Sequence, residues 1–358
     1  MRNAIASAGR RGFVLPYVVV VTLLVSILSL GAVTLAWRGH RAARLSAGGV
    51  RAQLAADEGG ALQLDRWPRE SLAALPLGQT LRTTVVTAIG DPVRSDITRT
   101  HPLLAWTRAR VLLNRIGTPG GVRRVVQRVV WLDPPAVPLP AALTVLGAVR
   151  GQGQSGTSGA DIPSSTDACG TPRDSASVAE LVASAVAEGP SARWELRPAW
   201  TTPADSVALR SQFEQAWSAL AAASRVAPRD STPLPPALLP GWHSLLLSGA
   251  PVILQGPARW RGLLSIAGDL IVRDALEVDG LLVVRGHLDL RAGALRVRGA
   301  VIVAPPRADA APPEGNRAAA ELGGHTAVQY DRCAVQMALA TVAEPRLIPF
   351  LSWLAPPP

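Results

Sequence analysis

The chain has 358 residues, 48% apolar and 17% charged, which excludes a disordered chain and allows two or three folded units at roughly 150 residues each. Its 36 cations against 26 acids give a formal net charge of +10, and every Lys/Arg position is arginine, which stays protonated at working pH. A basic balance permits nucleic acid or an anionic membrane surface as partner without requiring either, and two cysteines exclude a disulfide-dense mini-protein and a four-thiolate zinc site.

Residues 1–12, MRNAIASAGRRG, carry Arg2, Arg10 and Arg11 and no acid. Phe13 to Trp37 is then uncharged, long enough as a helix to span the roughly 30 Å hydrocarbon core of a bilayer. A secretory signal has a shorter apolar core, about 7–15 residues, so a single-pass anchor with the membrane as partner is the minimum expectation. Positive residues flank the run on both sides and orient it only weakly. The helix is expected to continue through Arg38 to Leu64, where Leu45, Val50, Leu54, Leu62 and Leu64 are the larger apolar positions. Gly48-Gly49 and Gly59-Gly60 weaken it, each Gly costing up to about 1 kcal/mol against Ala.

Arg10-Arg11-Gly12-Phe13-Val14-Leu15-Pro16 resembles the cleavage site of type IV prepilins. The resemblance implies that a prepilin peptidase cuts between Gly12 and Phe13 on the cytoplasmic side and methylates the new amine. Pro16 would then be the fourth mature residue, where a missing N–H costs little. In a helix begun within the leader it would cost about 3 kcal/mol. Tyr17 stands where major pilins carry Glu, which implies a minor or tip-associated subunit rather than a fibre-building one. Leu54-Ala55-Ala56-Asp57-Glu58-Gly59 resembles the Ala-Ala-Glu-Ala-Gly stretch that follows the anchor in PilX-like pilus-assembly proteins.

Further on, Leu81 to Ile89 and Val122 to Leu132 read as strands, with Leu103 to Ile116 ambiguous between helix and strand. Arg123, Arg124 and Arg128 make the last a basic strand, read as a half-buried strand with a solvated Arg face rather than a phosphate-facing one, because no nucleic-acid motif accompanies it. After the break at Pro134 to Pro140, Ala141 to Gly147 leads into a Gly/Ser stretch ending at Asp174-Ser175. Gly151 to Gly156 spells G-x-G-x-x-G and Gly156 to Ala160 narrowly misses G-x-S-x-G, but neither has the strand-to-helix setting those motifs need, and both read as loop. Ser177-Val178-Ala179-Glu180 spells a capping box and predicts a helix to about Glu188. A second helix, about Ser206 to Ala227, places Leu209, Phe213, Trp217 and Leu220 on one core-facing stripe, and Pro-rich Ala227 to Pro240 closes the insert.

Gly262 to Val303 can be written as stacked lines. Gly262, Gly280 and Gly299 open successive lines 18 and 19 residues apart, and Gly268 and Gly286 sit six places into theirs. Short alternating strands joined by Gly turns at a fixed period predict a β-solenoid of three faces, about six residues each, with a β-meander as the rival. The PilX-like resemblance extends to Ala141-Ala142-Leu143-Thr144, Gly147 and Cys169, and to Val328 to Gln336 around Tyr330 and Cys333, followed by Trp353.

Five histidines, His40, His101, His243, His287 and His325, include no i, i+4 pair. His287 and Asp289 alternate on one predicted strand face and read as a solvated polar face rather than a metal pair. No catalytic residue, metal or cofactor is expected. Cys169 and Cys333 form either one bridge in an oxidising compartment or two buried thiols. The prepilin resemblance puts the body outside the cytoplasm and so implies the bridge, worth about 4–5 kcal/mol on the loop-entropy model.

The expected fold class is α+β: an N-terminal transmembrane α-helix extended into a periplasmic body, with mixed strands, a helical insert and a short β-solenoid-like C-terminal region. The expected units are a leader (1–12), the helix (13–65), a strand-rich body (66–174), a helical insert and linker (175–240), the solenoid-like repeats (241–310) and a C-terminal segment (311–358). The resemblance implies a non-enzymatic minor pilin or pseudopilin. It would sit as a single-pass inner-membrane protein with a cytoplasmic N-terminus, extracellular once in a filament. Its partners would be the peptidase and, through the N-terminal helix, other pilins. The alternatives are an unprocessed single-pass envelope protein with a solenoid scaffold or adhesion domain, and a DNA-uptake pseudopilin.

Overall fold

The apolar run and the Ala-rich stretch after it form one helix, α1 (Val14–Asp65), within one residue of the expected bounds. The computed structural model describes residues 14–73, 75–113, 122–151, 154–158, 183–187, 200–201, 206–226, 234, 239–249, 251–306, 318–323 and 325–348. A short helix α2 (Arg69–Ala73) turns the chain into four antiparallel strands, β1 (Thr80–Val86), β2 (Pro92–His101), β3 (Leu104–Leu113) and β4 (Val122–Asp133), each paired with the next. The ambiguous segment after Leu103 is thus a strand. β2 has no counterpart in the sequence reading. Its period-2 alternation buries Val93, Ser95, Ile97 and Arg99, and the two polar members of that row hide the pattern.

The remaining strands pair in parallel. In chain order they are β5 (Ala141–Val145), β6 (Val149–Gly151), β7 (Gln154–Ser158), β8 (Ala183–Ala187) and β9 (Trp200–Thr201), then helix α3 (Ser206–Ala223). After it come β10 (Arg225–Val226), β11 (His243–Leu247), β12 (Val252–Leu254), β13 (Ala258–Ile266), β14 (Leu270–Val272), β15 (Ala275–Val284), β16 (Leu288–Asp289), β17 (Ala294–Val303), β18 (Ala320–Leu322) and β19 (His325–Gln329). Helix α4 (Arg332–Ala340) follows, and β20 (Glu344–Leu347) returns to pair antiparallel with β4. The result is a mixed α+β fold with antiparallel and parallel sheets.

The parallel register follows the sequence period. Gly262 lies opposite Gly280 and Gly280 opposite Gly299. The long strands β13, β15 and β17 therefore stack residue on residue, while β12, β14, β16, β18 and β6 form a second parallel sheet beside them. Parallel pairing replaces the rival β-meander. The two halves of β17 part company at Gly299: Val301–Val303 pair with β5, and Leu295–Arg298 pair with β19, which pairs with β7. Residues 141–158 therefore lie beyond 299–329 in the stack, although they precede them in the chain, and β8 lies beyond β5.

Two expectations are corrected here. The stretch around Gly151–Gly156 is two short strands, β6 and β7, rather than loop alone, because each finds a ready edge in β18 or β19. The capping-box spelling at Ser177 does not continue as helix through 183–187. That segment is β8, and its Val and Ala residues pair with the buried strand β5. Tertiary pairing overrides the weak local signal.

One large core runs through the stack. Leu264, Leu282 and Val301 are fully buried at equivalent rungs, each side chain contributing about 1.5–3 kcal/mol by leaving water. The expected stripe of α3 joins it through Phe213, Trp217 and Leu220. Helix α4 joins it through Val335, Ala338 and Leu339, while Ala334 and Met337 pack with Ala73 and Trp242. Ala343, just after α4, packs with Leu103 and Val130 of the antiparallel sheet.

Gly262, Gly280 and Gly299 have φ of 122°, 139° and 140°. A Cβ on Gly280 would overlap the Gly262 carbonyl oxygen, and one on Gly299 would overlap that of Gly280. Both the backbone conformation and the space demand glycine. Gly280→Ala is expected to destabilise the body by at least about 2 kcal/mol in denaturant unfolding. Gly256→Ala, with nothing within 4 Å of the added carbon, is expected to be near neutral.

Candidate functional site

The first half of α1 is uncovered. Every large apolar side chain from Leu15 to Trp37 is 40–77% exposed. This is the one helix among the described residues long and apolar enough to cross a membrane, by length and composition. Its polar side chains suit such a setting. Thr22 bonds the Val18 carbonyl, Ser26 Oγ donates to Thr22 O at 2.7 Å, and Thr34 Oγ1 donates to Leu30 O at 2.9 Å. These hydroxyls meet their hydrogen-bonding needs within the helix, as an apolar solvent requires.

The second half is seated on the antiparallel sheet. Ala52, Ala55 and Ala56 are fully buried against Val93, Ala109 and Val111. The small side chains bring the backbones close, and two glycines extend this. A Cβ on Gly59 would lie 2.7 Å from Val93 Cγ1, and one on Gly60 would lie 2.8 Å from Arg128 Nη1. The glycines expected only to weaken the helix therefore mark its closest approach to the sheet. Polar pairs fix its position along the sheet. Arg51 grips Asp91 through two bonds of 3.0 and 2.9 Å, and Arg128 Nη2 donates to Asp57 Oδ1 at 2.8 Å. The Ala88 N–H donates to Glu58 Oε1 at 2.7 Å, and Gln63 bonds Ser95 and Thr83. Arg128 of the basic strand thus turns to α1 and not to solvent, whereas Arg124 stays exposed beside Gly49.

Gly12 and Phe13, with Arg10 and Arg11, lie outside the described residues. Leu15, Pro16 and Tyr17 occupy the first turn of α1, where Pro16 interrupts no intrahelical bond. Cys169, the expected disulfide partner of Cys333, lies outside the described residues. Cys333 is nearly buried beside Trp242 and Met337 and is not a free thiol. His287 Nδ1 lies 2.8 Å from the Ala318 carbonyl oxygen, and Asp289 is held by Arg291. The two residues therefore share no site. Among the described residues no cluster of three or more His, Cys, Asp or Glu side chains has metal-binding proximity.

An ionic ladder escaped the sequence reading. Arg259 pairs with Glu277 at 3.0 Å and Arg261 with Asp279 at 3.1 Å, one rung apart in each case. Arg298 reaches Asp331 at 2.7 Å, and Asp331 caps α4 by accepting from the Ala334 N–H at 2.9 Å. The signal was present as opposite charges at the glycine period.

Burial lowers Arg99, which rests on the carbonyls of Pro102 and Leu72, to about 10. Burial raises the Asp279 carboxyl, against the opposing pull of Arg298 and Arg261. Hydrogen bonds from Arg291 hold Asp289 below the usual carboxylate range.

No protein-family model matches the chain, no curated protein matches it, and no solved structure matches it. The comparisons therefore lend no support to the pilus-assembly identity implied by the short N-terminal and C-terminal motifs.

Gly59→Ala is expected to cost about 1–3 kcal/mol by overpacking the seat of α1. Val93→Ala in the same chain should relieve part of that cost, giving a favourable coupling in a double-mutant cycle read by thermal unfolding. The lowered Asp289 stabilises the fold above the ordinary carboxylate range and loses that contribution as pH falls through its folded pKa. Asp289→Asn should therefore flatten the acid side of the stability profile, while Asp279→Asn, removing a raised group, should favour the variant increasingly as pH rises through the carboxylate range.

Proposed function

We propose that this chain is a single-pass envelope protein in which α1 tethers a scaffold body to a membrane and its parallel rungs form a short β-solenoid. One observation carries the reading: a single continuous helix is exposed and apolar over Leu15 to Trp37 and seated on the body from Ala52 onward. Leaving that many large apolar side chains in water costs about 1.5–3 kcal/mol apiece, and a bilayer removes the cost. Because the helix is continuous through the seat, the body is held at a fixed height above the apolar segment rather than on a flexible leash. The solenoid assignment is supported by the parallel register at the glycine period and by the second parallel sheet beside it. The body lies on the non-cytoplasmic side in this reading, and no catalysis is required.

A second reading is a subunit that leaves lipid to pack through α1 with similar helices. It is favoured by small residues, Ser26, Ser29, Gly31 and Ala32, clustered within the uncovered half, where they permit close helix approach. DNA uptake is the third. It rests on the overall arginine excess, from which the pairing of Arg128 with Asp57 under α1 withdraws one cation.

Alkaline extraction and intact-mass measurement of the full chain, expressed with and without a prepilin peptidase, separate the readings. The tether predicts retention in the membrane pellet and the same N-terminus, at Met1, under both conditions. Release into the soluble fraction would overturn it. A start at N-methyl Phe13 only with the peptidase present would replace it with the second reading.

A further inference from the structure

The sheet face turned away from α1 has a composition that folding does not explain. It holds a concavity of about 450 Å³ on β1–β4. The register sets its side chains in rows across the strands. One row runs Arg82, Asp96, Arg108, Gln127, and the next places Arg94 directly opposite Arg110. Like charges directly opposite in an antiparallel pair destabilise it. Three arginines, Arg82, Arg108 and Arg110, line the concavity with one carboxylate, Asp96, which is committed to Arg110 at 2.5 Å, and Arg94 lies beside them. With the Gln127 amide turned so that its oxygen faces Arg108, the guanidinium donates to it through Nε at 2.7 Å, a contact that orients the cation without neutralising it. Arg82 and Arg94 have no ion pair among the described residues, and Arg110 Nε is buried without a hydrogen-bond partner. The third row is Thr80, Thr98 and Trp106, with the two hydroxyls 2.8 Å apart.

We propose that this face binds a carboxylated polysaccharide. Each half of the chemistry has a counterpart in the rows. Planar guanidinium groups take carboxylates through paired, charge-assisted bonds. Threonine hydroxyls and the Gln127 amide offer donors and acceptors to sugar hydroxyls, and one indole offers an apolar face with a polar edge. Non-specific single-stranded nucleic acid calls for aromatic platforms under successive bases, and Trp106 is the one aromatic lining the concavity. The inference deepens the tether reading, which puts the body where acidic polysaccharides occur. The binding itself is tested without reference to the compartment.

The full chain in detergent micelles is titrated with polygalacturonate, with neutral dextran and with oligodeoxythymidylate. Saturable binding of polygalacturonate is expected, with none of dextran. The double variant Arg82→Gln with Arg108→Gln should weaken it at least about tenfold, as loss of charge-assisted bonds does. Trp106→Ala should weaken it less. Arg44→Gln with Arg66→Gln, which removes the same charge from exposed positions elsewhere, should leave it unchanged. Thermal unfolding of each variant reports whether it folds. Absence of saturable polygalacturonate binding, equal loss in the charge-matched control, or tighter binding of the oligonucleotide would overturn the proposal. A chain that stays in the membrane with Met1 intact but fails to bind polygalacturonate would sink this inference and leave the tether standing.

Discussion

The body depends on one close contact repeated along its length, the backbone of a glycine resting on the carbonyl of the residue one rung before. Gly262, Gly280 and Gly299 make that contact at positive φ, where any side chain would be displaced by backbone. It fixes the register. Once the register is fixed, Leu264 falls over Leu282, Leu282 over Val301, and the opposite charges Arg261 and Asp279 meet. A slip of one residue would turn each buried row outward. The glycine column is therefore where the fold is specified, and the leucine rows are where most of its stability resides.

This column was legible in the sequence because it combines a period with a residue that has no substitute. The apolar half of α1 was legible for a similar reason: length without charge admits few readings. What stayed hidden involves contacts between distant parts of the chain. Nothing local in Gly151–Ser158 says that the edges of β18 and β19 will receive it as strand. The seat of α1 was misread in the same way. Gly59 and Gly60 look like helix weaknesses until Val93 and Arg128 are seen pressed against them. On the outer sheet face, Arg82, Arg94, Arg108 and Arg110 are scattered along three strands, and only the register reveals them as neighbours.

Helix α1 has two solvents. Its first half meets its polar needs internally and exposes its apolar side chains. Its second half uses alanine and glycine to approach a sheet, and charged pairs such as Arg51–Asp91 to set its place on it. The two regimes meet within one uninterrupted helix. Force applied at the membrane would be transmitted along the helix axis to the β1–β4 sheet, and from there through β20 and α4 to the parallel stack.

The order of rungs in the stack has a consequence in time. Residues 141–158 complete their pairing against β17, β18 and β19, which end at Gln329. During synthesis or translocation the earlier segment must wait for the later one, about ten seconds or more at ordinary ribosome speeds. Until then the edge of β5 that meets β17 and the edge of β6 that meets β18 have no neighbour. Contacts that span this much chain also slow folding by their loop-closure cost. Strands β5, β6 and β7 therefore join the stack only after β17, β18 and β19 exist, and a chain interrupted before Gln329 leaves an open strand edge able to pair with another copy.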